Sequence, residues 1–151
     1  MIKWYHDKEL GIFFDNNPCV AERYILPSMT DFEKKSIQKY PFINKKNLKV
    51  TIEYYKKDKT YEFIIPKGFC YDGASIVRIF WRLIGSNTDN SFTIPALIHD
   101  YCCIHKEVVD NDRYLADKVF ERCLYVSNVP SWKRFLMFRS VELFQICCAK
   151  W

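Results

Sequence analysis

The sequence predicts an α+β fold, in which an irregular N-terminal part with a β-hairpin packs on three or four antiparallel helices. Three observations predict it. Two stretches rich in β-branched and aromatic residues, "LKVTIEYY" and "TYEFII", flank the polar "KKDK" in the manner of a hairpin. From residue 75 onward the chain runs in helix-length segments with clear start and stop signals. The connections between those segments are short, which favours antiparallel neighbours.

The elements follow in order. The first 47 residues show no sustained period; "DNNP" and "LPSM" punctuate them as turns, and Thr30 or Asp31 can cap a short helix in "TDFEKKSIQKY". The hairpin covers residues 48 to 65, and Pro66 and Gly68 end it. "SIVRIFWRLIG" has a Ser at one end and a Gly at the other, the marks of a short helix, and "SNTDNS" is loop. "TIPALIHDYCCIHK" places Pro95 near a helix start, where proline is tolerated. "VVDND" leads to "RYLADKVFERCLYV", which Asp110, Asn111 or Asp112 can cap. "NVPS" is a turn, Ser131 is read as the cap of the last helix, and Trp132, Phe135, Phe138 and Phe144 are read as its core stripe, with Cys123, Cys147 and Cys148 also in the core.

At 151 residues the chain suits a single domain over 1–151, with 1–66 irregular and β-rich and 67–151 helical. A composition 49% apolar, 17% aromatic and 27% charged is globular. The net charge of +5 lacks the stripe of a nucleic-acid binder, and no nucleic-acid partner is expected. Seven cysteines is an odd number without a CxxC pair, and the opening "MIKWYHDKELGIFF" is charged throughout, so neither a signal peptide nor a disulfide framework is read here. The expectation is free thiols in a reducing compartment. Lys133, Arg134, Arg139 and Glu142 interrupt the longest helical stretch, so no transmembrane segment is expected.

The chemistry gathers around "LIHDYCCIHK". Neighbours on a helix diverge by about 100°, so His99 and Asp100 bracket a site from two sides, while His99 and Cys103 share a face. Asp117, on the next helix, can reach the far ring nitrogen of His99 and fix its tautomer, as a general base requires. Asp72 stands in "CYDGAS", where Gly73 frees the backbone to turn. Carboxylates and turned carbonyls are hard oxygen ligands of the kind Ca2+ prefers. Zinc at Cys102, Cys103 and His105 has poor spacing, because adjacent cysteines point apart. Ser75 reads as a helix cap rather than a nucleophile, and His6, His99 and His105 are too few for a histidine-rich phosphohydrolase. The plain alternative is a buried hydrogen-bonded network without turnover.

"IPKGFCYDGAS", "IPALIHDY" and "LADKVF", in this order, resemble the phage and bacterial domain-of-unknown-function family 1353, over about residues 61 to 126. The same chain has a more distant resemblance to bacterial and fungal secreted phospholipases A2, in the DG loop, the HD pair and the later aspartate. That resemblance implies that Asp72 and Asp100 bind calcium, that His99 activates water and that Asp117 holds His99, while the metal polarises an ester carbonyl. Cys103 departs from it, standing where those enzymes have a tyrosine; Val77 stands where the first family usually has proline. Together the resemblances imply a phage-associated hydrolase of a lipid or ester substrate, in the cytoplasm of the bacterial host or in the phage virion. The alternative is a non-catalytic phage component, part of the virion or tail or a host-interaction protein, that contacts other phage virion proteins through its aromatic-rich N-terminal segment.

Overall fold

Period-two burial builds the first layer. In the computed structural model, which describes residues 2–6, 8–72 and 90–147, strands β1 (Ile2–His6), β2 (Leu10–Phe14), β5 (Leu48–Tyr54) and β6 (Lys59–Ile65) form one antiparallel sheet in the order β1-β2-β5-β6. Its register aligns the inward residues across three strands. Ile12 pairs with Ile52, which pairs with Tyr61; Phe14 pairs with Val50, which pairs with Phe63. A one-residue slip would turn this whole set outward, so the apolar alternation fixes the pairing. The expected hairpin is β5–β6, and its turn closes through a short 3-10 stretch (Tyr55–Lys57) and Asp58 in the left-handed region.

A second antiparallel sheet joins β3 (Val20–Glu22), β4 (Phe42–Asn44) and β7 (Cys70–Tyr71) in the order β3-β4-β7. Sequence pattern alone showed only short strands within irregular structure here, because each strand is two or three residues long and its partners are distant. Asn44 ties this sheet to the first. It is fully buried, and its side-chain amide donates to the carbonyls of Lys46 (2.7 Å), Ile65 (3.2 Å) and Pro66 (3.0 Å). The Asn44 backbone carbonyl also accepts from Gly68 N at 2.8 Å, where a φ of 91° calls for glycine. One side chain thus fixes the course of residues 65 to 69, which lead into β7 and Asp72.

Between β3 and β4 runs α1 (Asp31–Lys39). Thr30, one of the two candidates, is its cap: Thr30 Oγ1 accepts from Glu33 N, and Glu33 reaches back to Thr30 N at 2.7 Å. The helical layer consists of α2 (Asn90–Ile104), α3 (Arg113–Val126) and α4 (Ser131–Cys147). A core cluster joins Leu10, Ile12, Val50, Ile52 and Phe63 of the sheet to Leu97, Ile98 and Cys102 of α2 and Leu115 and Val119 of α3. The α3 boundaries fall at both ends of "RYLADKVFERCLYV", and Asp112 caps it by accepting from Leu115 N at 3.0 Å.

Two expectations about α4 need correction. Ser131 is its first helical residue rather than its cap; Pro130 precedes it, and the Pro130 carbonyl accepts from Arg134 N at 3.0 Å. The aromatic stripe does not form the core. Trp132 and Phe135 are exposed and Phe138 is half-buried, while Met137, Ser140 and Val141 are buried. Met137 and Val141 lie one helical turn apart and pack with Phe120 and Leu124 of α3, so Trp132 and Phe135 are turned to the opposite side. Cys19, Cys70, Cys102, Cys103 and Cys123 are free thiols, with Cys102 and Cys123 buried in the core. The helix expected at 75–85, with Ser75 and Val77, lies outside the described residues, as do Cys148 and the side chains of Phe144 and Cys147.

Asn44→Ala should leave the carbonyls of Ile65 and Pro66 without their donor and cost about 2–3 kcal/mol of stability. Chemical denaturation measures it; a loss below about 0.5 kcal/mol would mean that Asn44 does not hold this junction.

Candidate functional site

α2 is buried on more than one side: Leu97 and Ile98 enter the core, and His99, a further 100° round, is 3% exposed. A buried imidazole needs polar partners. Nε2–H of His99 donates to Oδ1 of Asp117 at 2.9 Å, and Asp117 is itself 2% exposed. Asp117 reaches this position because Asp112 starts α3 one turn earlier. Arg113, four residues before Asp117, sets its Nε 3.9 Å from Oδ2. The ring of Phe120 lies 5.0 Å from the imidazole between centroids and closes one side.

On the other side of the ring, Nδ1 stands 3.9 Å from Oδ1 of Asp100. That distance makes Asp100 a charged neighbour and leaves Asp117 as the directional hydrogen-bond partner. Cys103 Sγ is 3.7 Å from both ring nitrogens. His99 and Cys103 therefore do share a helix face, while Cys102 turns into the core. Tyr71 in β7 donates to the carbonyl of Thr93 at 3.0 Å, stacks on Phe42 and Phe69, and so fixes the chain just before Asp72.

Asp72 and Asp100 come together. Burial pushes the Asp100 carboxyl up to about 6, and the nearby Asp72 charge adds to that shift against the pull of His99. Among the described residues, the buried Oδ2 of Asp100 has no hydrogen-bond partner. For His99, burial alone would lower the pKa; the carboxylates of Asp100 and Asp117, with Cys103 beside them, outweigh it and hold the imidazole well above its ordinary value. Tyr71 is pushed up as well, by burial and then by the Asp100 charge.

The structure thus gathers all four residues singled out in the sequence: His99 with Asp117 on one side, and Asp100 with Asp72 on the other. Two hard carboxylates and an orphaned buried oxygen suit a cation, which would replace the missing partner of Asp100. Calcium takes six or more oxygens, so the pair supplies part of a shell; among the described residues no group of three or more His, Cys, Asp or Glu could hold a metal. Arg113 and Phe120 escaped sequence reasoning. Arg113 had a usable signal, its spacing of four from Asp117 on one helix; Phe120 gave none beyond an apolar position.

A family described as "Protein of unknown function (DUF1353)" matches residues 47–141, which contain the whole constellation. The chain is 31% identical over 80 residues to "Uncharacterized protein y4jT" of Sinorhizobium fredii (strain NBRC 101917 / NGR234), covering 53% of this chain and 23% of that protein. No solved structure matches.

Two outcomes test the site. Asp117→Ala should strand a buried imidazolium and cost about 3–5 kcal/mol, read by denaturation; a change under about 1 kcal/mol would show that the bond does not matter. Both folded-state shifts favour the protonated forms, so without a metal each contribution is lost as pH rises. For Asp100 the loss runs from its ordinary 3.8 to about 6; for His99 the contribution is full below 6.5 and fades through its raised value. Thermal melts with a chelator should show stability falling from about pH 4 to 6 relative to Asp100→Asn. Parallel curves would refute the Asp100 assignment.

Proposed function

The chain belongs to the DUF1353 family, and we propose that it is a phage-associated, phospholipase A2-like ester hydrolase in which calcium at Asp72 and Asp100 supports a His99–Asp117 dyad. The observation that carries this reading is the buried Oδ2 of Asp100, which stands beside a second carboxylate and has no hydrogen-bond partner among the described residues. A purely structural network would satisfy that oxygen, since leaving it unmet has a cost that folding has no reason to bear. The phage setting, and with it a location in the bacterial host cytoplasm or the virion, comes from the sequence resemblance; among the described residues no helix is long and apolar enough to cross a membrane.

Asp117 holds the Nε2–H of His99 and so leaves Nδ1 as the base. Nδ1 takes a proton from water as the water oxygen bonds to the ester carbonyl carbon. His99 then returns that proton to the departing alcohol. When bound, calcium would polarise the carbonyl and offset the Asp100 charge that keeps His99 protonated at rest. Arg113 steadies Asp117 from the surface, and Phe120 keeps water off one face of the ring.

A second reading has its own observation. His99 and Asp117 are 3% and 2% exposed, a depth that suits a structural pair in a non-catalytic virion, tail or host-interaction protein. Tyr24, Ile25, Leu26 and Phe32, all exposed in the N-terminal part, would then serve contact with other phage or host proteins.

Turnover separates the two. Purified protein with calcium should hydrolyse a phospholipid or simple ester, and His99→Gln should reduce the rate by a factor on the order of 100 or more with its fold kept. Calorimetry should find calcium binding that Asp72→Asn or Asp100→Asn weakens at least about tenfold. Absent turnover, absent calcium binding and a His99→Gln variant that only loses stability would establish the structural reading instead.

A further inference from the structure

The face that α4 turns away from the core has a composition that the dyad does not explain. Trp132, Phe135 and Leu143 of α4 and Tyr114 and Tyr125 of α3 are each more than half exposed. Cations lie over four of these rings: Arg134 is 4.7 Å from the Tyr125 centroid, Arg139 5.4 Å from Phe135, Lys133 5.5 Å from Trp132 and Lys118 5.9 Å from Tyr114. Beside them a groove of about 430 Å³ runs between α3 and α4, with Lys118, Arg122, Arg134 and Arg139 set against Glu121 and Glu142. Arg122 pairs with Glu121 at 3.0 Å and Arg139 with Glu142 at 2.7 Å, so both carboxylates are already matched. Lys118 is likewise matched, by Glu9 at 2.9 Å, whereas Arg134 donates to the carbonyl of Val129 at 2.9 Å and among the described residues pairs with no carboxylate.

We propose that this aromatic and basic face of α3 and α4 docks on the surface of an anionic phospholipid bilayer. The proposal deepens the phospholipid-hydrolase reading, and rests on it for its purpose. The argument is charge complementarity joined to side-chain shape. Trp and Tyr favour the level of the headgroups, where an apolar ring enters and a polar edge stays wet. Arg and Lys lay their stems along the rings and keep their charged ends at the phosphates. A helix buried on its Met137–Val141 side and apolar with flanking cations on the other is built to lie along an interface rather than to cross it. A second copy of the chain fits less well: Lys118, Arg122, Lys133, Arg134 and Arg139 outnumber Glu9, Glu121 and Glu142 on this face, and two such net-positive faces would repel. A polynucleotide would leave Trp132, Phe135 and Leu143 without apolar cover.

The test uses the 151-residue chain carrying His99→Gln, so that vesicles remain intact whatever the activity. Co-sedimentation should show at least about tenfold tighter binding to phosphatidylcholine vesicles containing phosphatidylglycerol than to pure phosphatidylcholine, and the difference should shrink with added salt. Trp132→Ala with Phe135→Ala should weaken binding to the mixed vesicles about tenfold or more, and Lys133→Glu with Arg139→Glu should erase the lipid preference, all with unchanged melting temperatures. Equal binding to both vesicles, no binding, binding that ignores these substitutions, or self-association that Trp132→Ala abolishes would each overturn the proposal. Vesicle docking without ester turnover by the unsubstituted chain would retire the hydrolase reading and keep the docking face. Turnover of a soluble ester without vesicle docking would do the reverse.

Discussion

The 2.9 Å bond between His99 and Asp117 is the constraint around which the helical layer is arranged. It joins α2 to α3 where both are almost dry, so neither partner can be solvated if the other leaves. An imidazole and a carboxylate in such a place are expensive to bury singly and tolerable only together. The positions of both helices must therefore satisfy one short polar contact as well as the looser demands of apolar packing. Leu97, Ile98, Leu115 and Val119 can be accommodated by many small shifts; the bond accepts few.

That constraint also sets the electrostatics. His99 has Asp117 on one side and Asp100 on the other, and Asp100 in turn has Asp72 as a like-charged neighbour. A protonated histidine compensates only part of this charge. Burial, and after it the Asp72 charge, then raises Asp100, whose Oδ2 among the described residues has no hydrogen-bond partner. The second sheet contributes by fixing Tyr71, and through it the carboxylate that follows. Small strands that bury Phe42 and Tyr71 in the main core thus also fix the approach of the chain to Asp72.

Much of this was legible in the sequence wherever the signal was local. The hairpin was readable from β-branched residues around a polar turn, and α3 from its caps and period, because adjacent residues carry those preferences. Thr30 was one of two readable caps and Asp112 one of three; choosing among neighbours required the backbone path. The pairing of β2 with β5, and the sheet of β3, β4 and β7, joins residues far apart in the chain, and alternation cannot say which strand meets which. At the site, "HDY" and "ADKVF" showed which residue types were available. The side of the ring that each would face depended on how α3 docks. The α4 aromatics do not mark the core, because residue type alone does not carry the phase that Met137 and Val141 impose on the helix.

One small feature links the two layers in a further way. Asp112 uses Oδ1 to cap α3 at Leu115 N, and its Oδ2 accepts from Lys57 at 2.6 Å, at the tip of the hairpin. Lys59, just beyond that tip, meets Asp110 at 2.7 Å. The helix that aims Asp117 is therefore tethered at its starting end to a solvent-facing turn some fifty residues earlier in the chain. The ionic contacts face water and are open to screening, whereas the dyad is not. Ionic strength can consequently reach the buried imidazole only at a distance, by slackening the tether and letting the first turn of α3 fray. The hairpin tip and the start of α3 should then exchange their amide protons as one cooperative unit, with the sheet interior remaining closed.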